Sequence, residues 1–212
     1  VALIAAALTT MVNARAHLDI PSNTTDANIL ARVEMFINAA SGLMERYCDR
    51  YLKLQTGLVE LYDGGRQNIL LLRQFPIQGI TDVRIDSGHV FGTDTIIDAS
   101  LYGITDERQS LVYYNDVFPL GWENVKITYD AGFDSANPKD QGDLASLEIV
   151  CLWIVEWYYR HRTRGDMGRT TASKGDETWG VLEKMPTMMV EILDTYKRTE
   201  VPNLTRPIRN NL

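Results

Sequence analysis

Cysteine, histidine and basic charge are all scarce in this chain. Cys48 and Cys151 are the only two cysteines in 212 residues. They provide neither a disulfide framework nor a four-cysteine zinc site, so two buried free thiols in a reducing compartment are expected. The three histidines, His17, His89 and His161, lie far apart, and no H-E-x-x-H spacing joins any of them. The 21 Lys and Arg residues face 28 Asp and Glu, a formal net charge of −7. A compact nucleic-acid binder usually shows a basic excess, so only a local basic patch could grip phosphates here. Long apolar runs are missing as well: Glu148 and Glu156 interrupt the stretch 144–159, and nothing spans a bilayer. The opening VALIAAAL has no basic region and Arg15 soon follows, so it reads as a packed helix start or a disordered arm, not a secretory signal. Wholesale disorder is excluded by 45% hydrophobic and 23% charged residues. The length allows one good-sized core or two small ones.

Catalytic motifs are absent too. Asp63-Gly64-Gly65-Arg66 is a hairpin turn lacking the G-x-G-x-x-G or Walker lysine that phosphate cradling needs. Gly165-Asp-Met-Gly168 gives a loop its bends. Ser41-Gly42 falls inside a helix rather than a nucleophile elbow, and Cys151 sits on an apolar stripe, where thiols are inert. Asp82, Asp86, Asp94 and Asp98 do not match a calcium loop and read as a solvated sheet edge. His161, among arginines at a helix end, reads as a surface or dipole-complementing residue. A carboxylate beside His17 or His161 has no support in the sequence. No catalytic, cofactor-binding or metal-binding residue emerges, and neither zinc-finger spacing nor an RNA-recognition aromatic pattern is present.

Periodicity supplies the organisation. The spacing predicts a short helix over 10–18, anchored by Leu8, Val12 and Leu18. Asp26 caps a longer one through Ile29, Leu30, Val33, Phe36, Ile37, Ala40 and Met44, ending between Tyr47 and Arg50. The period then falls to two. Strands are predicted at 58–62, 69–72, 80–85, 111–114 and 125–129, with Pro76 interrupting the pattern. About five strands without helical crossovers suggest a small antiparallel sheet or partial barrel. Asp140 or Asp143 starts a long helix through Leu144, Leu147, Val150, Cys151, Ile154, Val155 and Tyr158, and a last helix spans 186–196.

The expected fold class is therefore α+β: mainly a helical bundle, with an inserted small antiparallel sheet and an extended C-terminal tail. The expected divisions are an N-terminal helical part at 1–57, a strand-rich insertion at 58–135, returning helices at 136–198 that form one domain with 1–57, and a tail at 199–212. The long helix carries Trp153, Trp157, Tyr158 and Tyr159, more aromatic surface than one core face needs, so part of it is expected to cover a partner. Residues 165–180 are glycine-rich and aperiodic, with Gly165, Gly168, Gly175, Trp179 and Gly180 in an expected mobile loop. From Lys197 onward, Lys197, Arg198, Arg206 and Arg209 against Glu200 give a local charge of +3, the composition of an arm reaching an acidic neighbour.

Four segments in order carry a family likeness. They are Ala16–Ile20 with Asp26, Ile37–Ser41 and Glu45–Tyr51; Leu70–Leu72 with Phe75–Ile77 and Ile80–Val83; Val125–Phe133 followed by Pro138; and the long helix, glycine-bearing loop and C-terminal helix ending near Arg198. Together they cover most of residues 15–198, and the chain resembles the head-to-tail connector (adaptor, or head-completion) proteins of tailed bacteriophages. It departs from the compact members in a long middle segment, 88–122, and an extended tail beyond Arg198.

The resemblance implies a structural, non-catalytic subunit of a homo-oligomeric ring of about twelve copies in the virion neck, assembled in the host cytoplasm. It implies the portal protein above, a tail-side stopper or tail terminator below, and double-stranded DNA passing through without sequence-specific binding. No cofactor or membrane is implied. Portal contact would fall to Arg198, Leu204, Arg206, Ile208 and Arg209; subunit contact to Trp153, Trp157, Arg160 and Arg162. The acidic excess would face the channel, where it does not grip the passing backbone. The alternatives are a stopper or tail-completion structural protein and, ranked below it, a hydrolase with a nonlocal carboxylate site.

Overall fold

The structure is a computed structural model, and it describes residues 2–106, 111–114, 116–163 and 185–198. Its fold is α+β, and the chain divides into two compact units. One joins Val1–Leu52 to Ser135–Lys197 and is helical; the other is built on Lys53–Asp134 and is made of strands.

The helical unit contains α1 (Met11–His17), α2 (Ala27–Cys48), α3 (Gln141–Thr163) and α4 (Thr187–Tyr196). The Thr10 hydroxyl caps α1 by accepting from the Asn13 N–H, and the Asp26 carboxylate caps α2 by accepting from Asn28 and Ile29. Helix α2 stops at Asp49, whose left-handed φ of 53° turns the chain away. Its stripe of Val33, Phe36, Ile37, Ala40, Met44 and Cys48 is buried, as are Leu147, Val150, Cys151, Ile154 and Val155 on α3. Phe36 stacks on Tyr158 at 5.7 Å. Each fully buried Leu, Ile or Val contributes about 1.5–3 kcal/mol, far more than helix propensity, so the α2–α3 contact is the backbone of this unit. Helix α4 adds Leu193 to the core, and Tyr47 and Tyr196 tie it down through Asp194 (2.6 Å) and Asp143 (2.9 Å) respectively.

Two expectations need correcting here. Val12 does not anchor α1: it is 75% exposed, Leu18 is half-buried, and Ala14 is the residue that faces inward. A two-turn helix has only one narrow inward face, and Ala14 occupies it. The N-terminal segment is neither helix nor disordered arm. It lies along α2, where Asn38 accepts from the Ile4 N–H and donates to the Ala2 carbonyl, and the Ser41 hydroxyl accepts from Leu8. The Asn38 amide imitates one rung of a β-ladder. Asn38→Ala should therefore free the first residues only, raising amide exchange at Ile4 about fivefold to tenfold while Leu8 stays protected. Hydrogen exchange with residue resolution checks this.

The β unit holds six strands: β1 (Gln55–Gly64), β2 (Ile69–Leu71), β3 (Ile77–Ile85), β4 (Tyr102–Asp106), β5 (Leu111–Tyr114) and β6 (Gly121–Ala131). They form two antiparallel three-stranded sheets, β1-β6-β3 and β2-β5-β4, six strands where about five in a small antiparallel sheet or partial barrel were expected. Val125, Ile127, Tyr129 and Ala131 alternate inward along central β6 and are fully buried. Leu70, Val112 and Tyr114 from the second sheet pack into the same core. Pro76, which follows a cis peptide bond after Phe75, lies between β2 and β3, where no ladder donor is needed. Glu60 on β1 takes hydrogen bonds from the Tyr62 and Tyr129 hydroxyls, and those hydroxyls accept the Arg73 and Gln74 N–H groups. Each of the two buried hydroxyls thus both donates and accepts.

Candidate assembly surfaces

Among the described residues no group of histidine, cysteine and carboxylate side chains could hold a metal, and no helix is long and apolar enough to cross a membrane. The four aspartates do not converge. Asp82 pairs with Arg84 at 2.8 Å, and that bond holds its carboxyl below the usual range. Asp86 accepts the N–H groups of Gly88, Val90 and Phe91, and Asp98 caps a 3-10 turn through Ser100. Asp86 and Asp98 are loop braces, and Asp82 sits within β3.

Both thiols are buried, and burial pushes the Cys48 thiol up to about 11 and the Cys151 thiol up to about 12 from an ordinary 9.0. Neither is a nucleophile at neutral pH. Thiol reagents at about pH 8 should leave the folded protein unlabelled and modify two groups once it unfolds. The raised values also fix a sign. Below pH 9 the thiol is neutral in both states and its contribution is intact. Above it the unfolded chain ionises first, so stability declines as pH climbs toward 11–12. Denaturant midpoints measured from about pH 8 to about pH 11 should fall along that range.

The two glutamates that break the apolar run of α3 hold α1. Glu148 accepts the Thr9 hydroxyl (2.7 Å) and the Asn13 amide (2.6 Å), and Glu156 meets His17 Nε2 at 2.9 Å and Arg160 at 2.6 Å. A carboxylate does face His17, a contact no local pattern announces, because the partners are 139 residues apart.

The remaining face of α3 is the candidate surface. Helical geometry places Ile149 and Arg160 opposite the buried stripe of Leu147, Val150, Ile154 and Val155, with Trp153 and Trp157 on the flank between, one and two turns on from Val150. Ile149 is 55% exposed, Trp153 and Trp157 are half-buried, and Arg160 is exposed. Trp157 stacks on His161 at 4.1 Å, and His161 Nδ1 bonds back to the Trp157 carbonyl, so this imidazole serves the helix end and the indole together. Of the four aromatics counted from the sequence, Tyr158 stacks on Phe36, Trp157 stands edge-on to Tyr158 at 5.6 Å, and Trp153 shares the flank of Trp157 one turn back. The apolar surface of α3 thus widens past the buried core onto a flank of Ile149, Trp153 and Trp157 that is half-buried to exposed. Arg162 lies in α3, but its side chain is outside the described residues. Arg198 is half-buried at the end of the described chain. Leu204, Arg206, Ile208 and Arg209, and the loop residues Gly165, Gly168, Gly175, Trp179 and Gly180, lie outside the described residues.

Sequence reasoning passed over a second surface. At the end of the β unit where β3 finishes and β6 begins, Val90, Leu120 and Trp122 are all exposed. Apolar residues concentrated in two turn-rich segments, 89–92 and 117–122, were the available signal.

The model of the head completion protein family matches residues 7–199. No curated protein matches the chain. Among solved structures, a chain from the neck of an empty gene transfer agent particle, computed with C6 symmetry, is 18% identical with a TM-score of 0.59. The alignment covers 98% of this chain and 97% of that one. A chain from the virion of a native gene transfer agent particle is 18% identical, with a TM-score of 0.55 over 95% of both chains. A third, from the neck of a native gene transfer agent particle computed with C12 symmetry, is 19% identical, with a TM-score of 0.54 over 98% of this chain and 97% of its own. At these identities the likeness is one of fold.

Proposed function

The chain belongs to the head completion protein family, and from that premise we propose that it is a non-catalytic ring subunit of the virion neck, placed between portal and tail-side proteins around the DNA channel. The observation that carries the reading is the apolar flank of α3 beyond its core stripe, where Ile149 is exposed and the two tryptophans are half-buried. A neighbouring copy covers it: Trp153 and Trp157 supply the apolar anchor, and Arg160 and Arg162 the bidentate ion pairs at its edge. Support for the neck and for a ring of about twelve copies comes from similarly folded chains found in necks of C6 and C12 symmetry.

In this reading the basic tail, with Arg198, Leu204, Arg206, Ile208 and Arg209, reaches the portal. The loop bearing Gly165, Gly168, Gly175, Trp179 and Gly180 orders on assembly or projects toward the channel. The acidic excess lines the lumen and leaves passing DNA ungripped during packaging and ejection. Assembly takes place in the host cytoplasm. Cryo-electron microscopy of the assembled neck, with this subunit traced in density, tests the reading. A continuous ring between portal and tail-side protein, with α3 against its neighbour and DNA through the centre, is the expected result. A location elsewhere in the particle, or an α3 flank left in solvent, overturns it.

A further inference from the structure

The exposed end of the β unit is a preformed apolar knob. Trp122 is 65% exposed, Leu120 69% and Val90 83%. His89, Phe91 and Glu123 all hold left-handed φ values of 45–57°, a costly arrangement for side chains of this size. Several bonds enforce it. Both oxygens of Asp86 collect loop N–H groups, Arg84 donates to the Phe91 carbonyl at 2.7 Å, and His89 Nε2 reaches the Trp122 carbonyl at 2.9 Å with its ring edge-on to the indole. Asp63 takes the Glu123 N–H at 2.6 Å. Beneath them the buried Asn124 amide accepts from Gly64 and donates to the Pro119 carbonyl, and a Cβ on Gly64 would lie 1.8 Å from that carbonyl oxygen. Strain and bracing hold large apolar groups in water, where they contribute nothing to this unit's core.

The charge around the knob selects what covers it. Segments 63–66, 86–92 and 116–123 carry Asp63, Asp86, Asp116 and Glu123 against Arg66, while Lys126 lies over the Phe91 ring and Arg84 is neutralised by Asp82, so the acidic excess stands at four against two. Four carboxylates around an apolar centre repel a phosphate backbone or an anionic lipid surface. They also disfavour the body of a second copy, itself at net −7. We infer that this knob docks into another protein, in an apolar depression bordered by lysine and arginine, with Trp122 as the anchor. The inference rests on the neck reading and adds to it a contact made by neither α3 nor the basic tail.

Hydroxyl-radical footprinting of the wild-type protein in two particles tests it: heads that carry this protein but lack the components added after it, and complete particles. Oxidation of Trp122 is expected to fall at least about fivefold in the complete particle only. Asp116→Lys, which reverses a rim charge without touching an apolar side chain, should bind heads normally and reduce the yield of complete particles about tenfold. Equal oxidation in both particles, or protection already present on heads, overturns the inference: the first leaves the knob uncovered, and the second gives it to a copy of this chain or a head protein. An undiminished yield with Asp116→Lys removes the basic rim. Absence of the wild-type protein from both particles overturns the neck reading itself, an outcome distinct from any of these.

Discussion

Gly132→Ala should cost the β unit about 3 kcal/mol or more. Gly132 has φ of +109°, outside the conformations an L side chain adopts readily. A Cβ there would stand 2.5 Å from the Lys53 carbonyl oxygen and 2.9 Å from the Leu54 nitrogen, both backbone atoms that no rotamer change can move aside. The surroundings are fully committed. The Gly132 N–H donates to the Pro76 carbonyl, its own carbonyl accepts from Gln78, and Leu54 donates to the next residue, Phe133. Relief would require breaking one of those bonds. Gly79→Ala is the control, since a Cβ there meets nothing within 4 Å; its expected effect is below about 1 kcal/mol. Denaturant unfolding of both variants decides the matter, and equal midpoints would refute the argument.

Gly132 also shows what kind of information the sequence holds. It closes the segment Thr128-Tyr-Asp-Ala-Gly132, which carried the family likeness most specifically, yet the reason for glycine lies in a backbone contact with Lys53, far away in the chain. Long helices were readable because their determinants are local: Asp26 ahead of α2, and a three-and-four stripe that ends at Cys48. Strands β1, β3 and β6 were readable by alternation. Strand β4 was not, because Tyr-Gly-Ile-Thr-Asp is short, contains glycine, and follows directly on a 3-10 turn. Without β4 the strands could not be sorted into two sheets. The N-terminal arm escaped for a related reason: its N–H groups are satisfied by side chains 34 and 33 residues away, which no local pattern announces.

The candidate surfaces divide in the same way. The α3 surface was half legible, since crowding of Trp153, Trp157, Tyr158 and Tyr159 signalled excess aromatic area, and only the structure shows Tyr158 spent on Phe36. The knob at Trp122 was hidden. Val117, Leu120 and Trp122 read as ordinary loop residues until Asp86, Asn124 and Asp63 are seen bracing the turns that expose them.

Trp153→Ser should abolish ring assembly while leaving the subunit folded. Trp153 is half-buried on the Ile149 flank of α3, outside the fully buried set of Leu147, Val150, Ile154 and Val155, so its loss removes less from the core than truncation of any of those four. A tryptophan at the centre of a subunit contact is worth about 2 kcal/mol or more, which is about thirtyfold in one interface. Closure compounds the effect. In a ring of about twelve equal contacts every interface carries the substitution, so the penalty repeats at each one and the concentration needed for closure rises steeply. Ile154→Ala provides the contrast. That side chain is fully buried, so truncation should cost about 2–5 kcal/mol of folding stability and lower the unfolding midpoint. The measurements are thermal unfolding of each variant and its copy number on heads assembled in its presence. Trp153→Ser should lower the midpoint less than Ile154→Ala does and be missing from heads; full incorporation would leave this flank of α3 without the role assigned to it. Ile154→Ala, where it folds, should still take its place in the ring, because a contact made by the flank does not depend on a side chain turned toward the core.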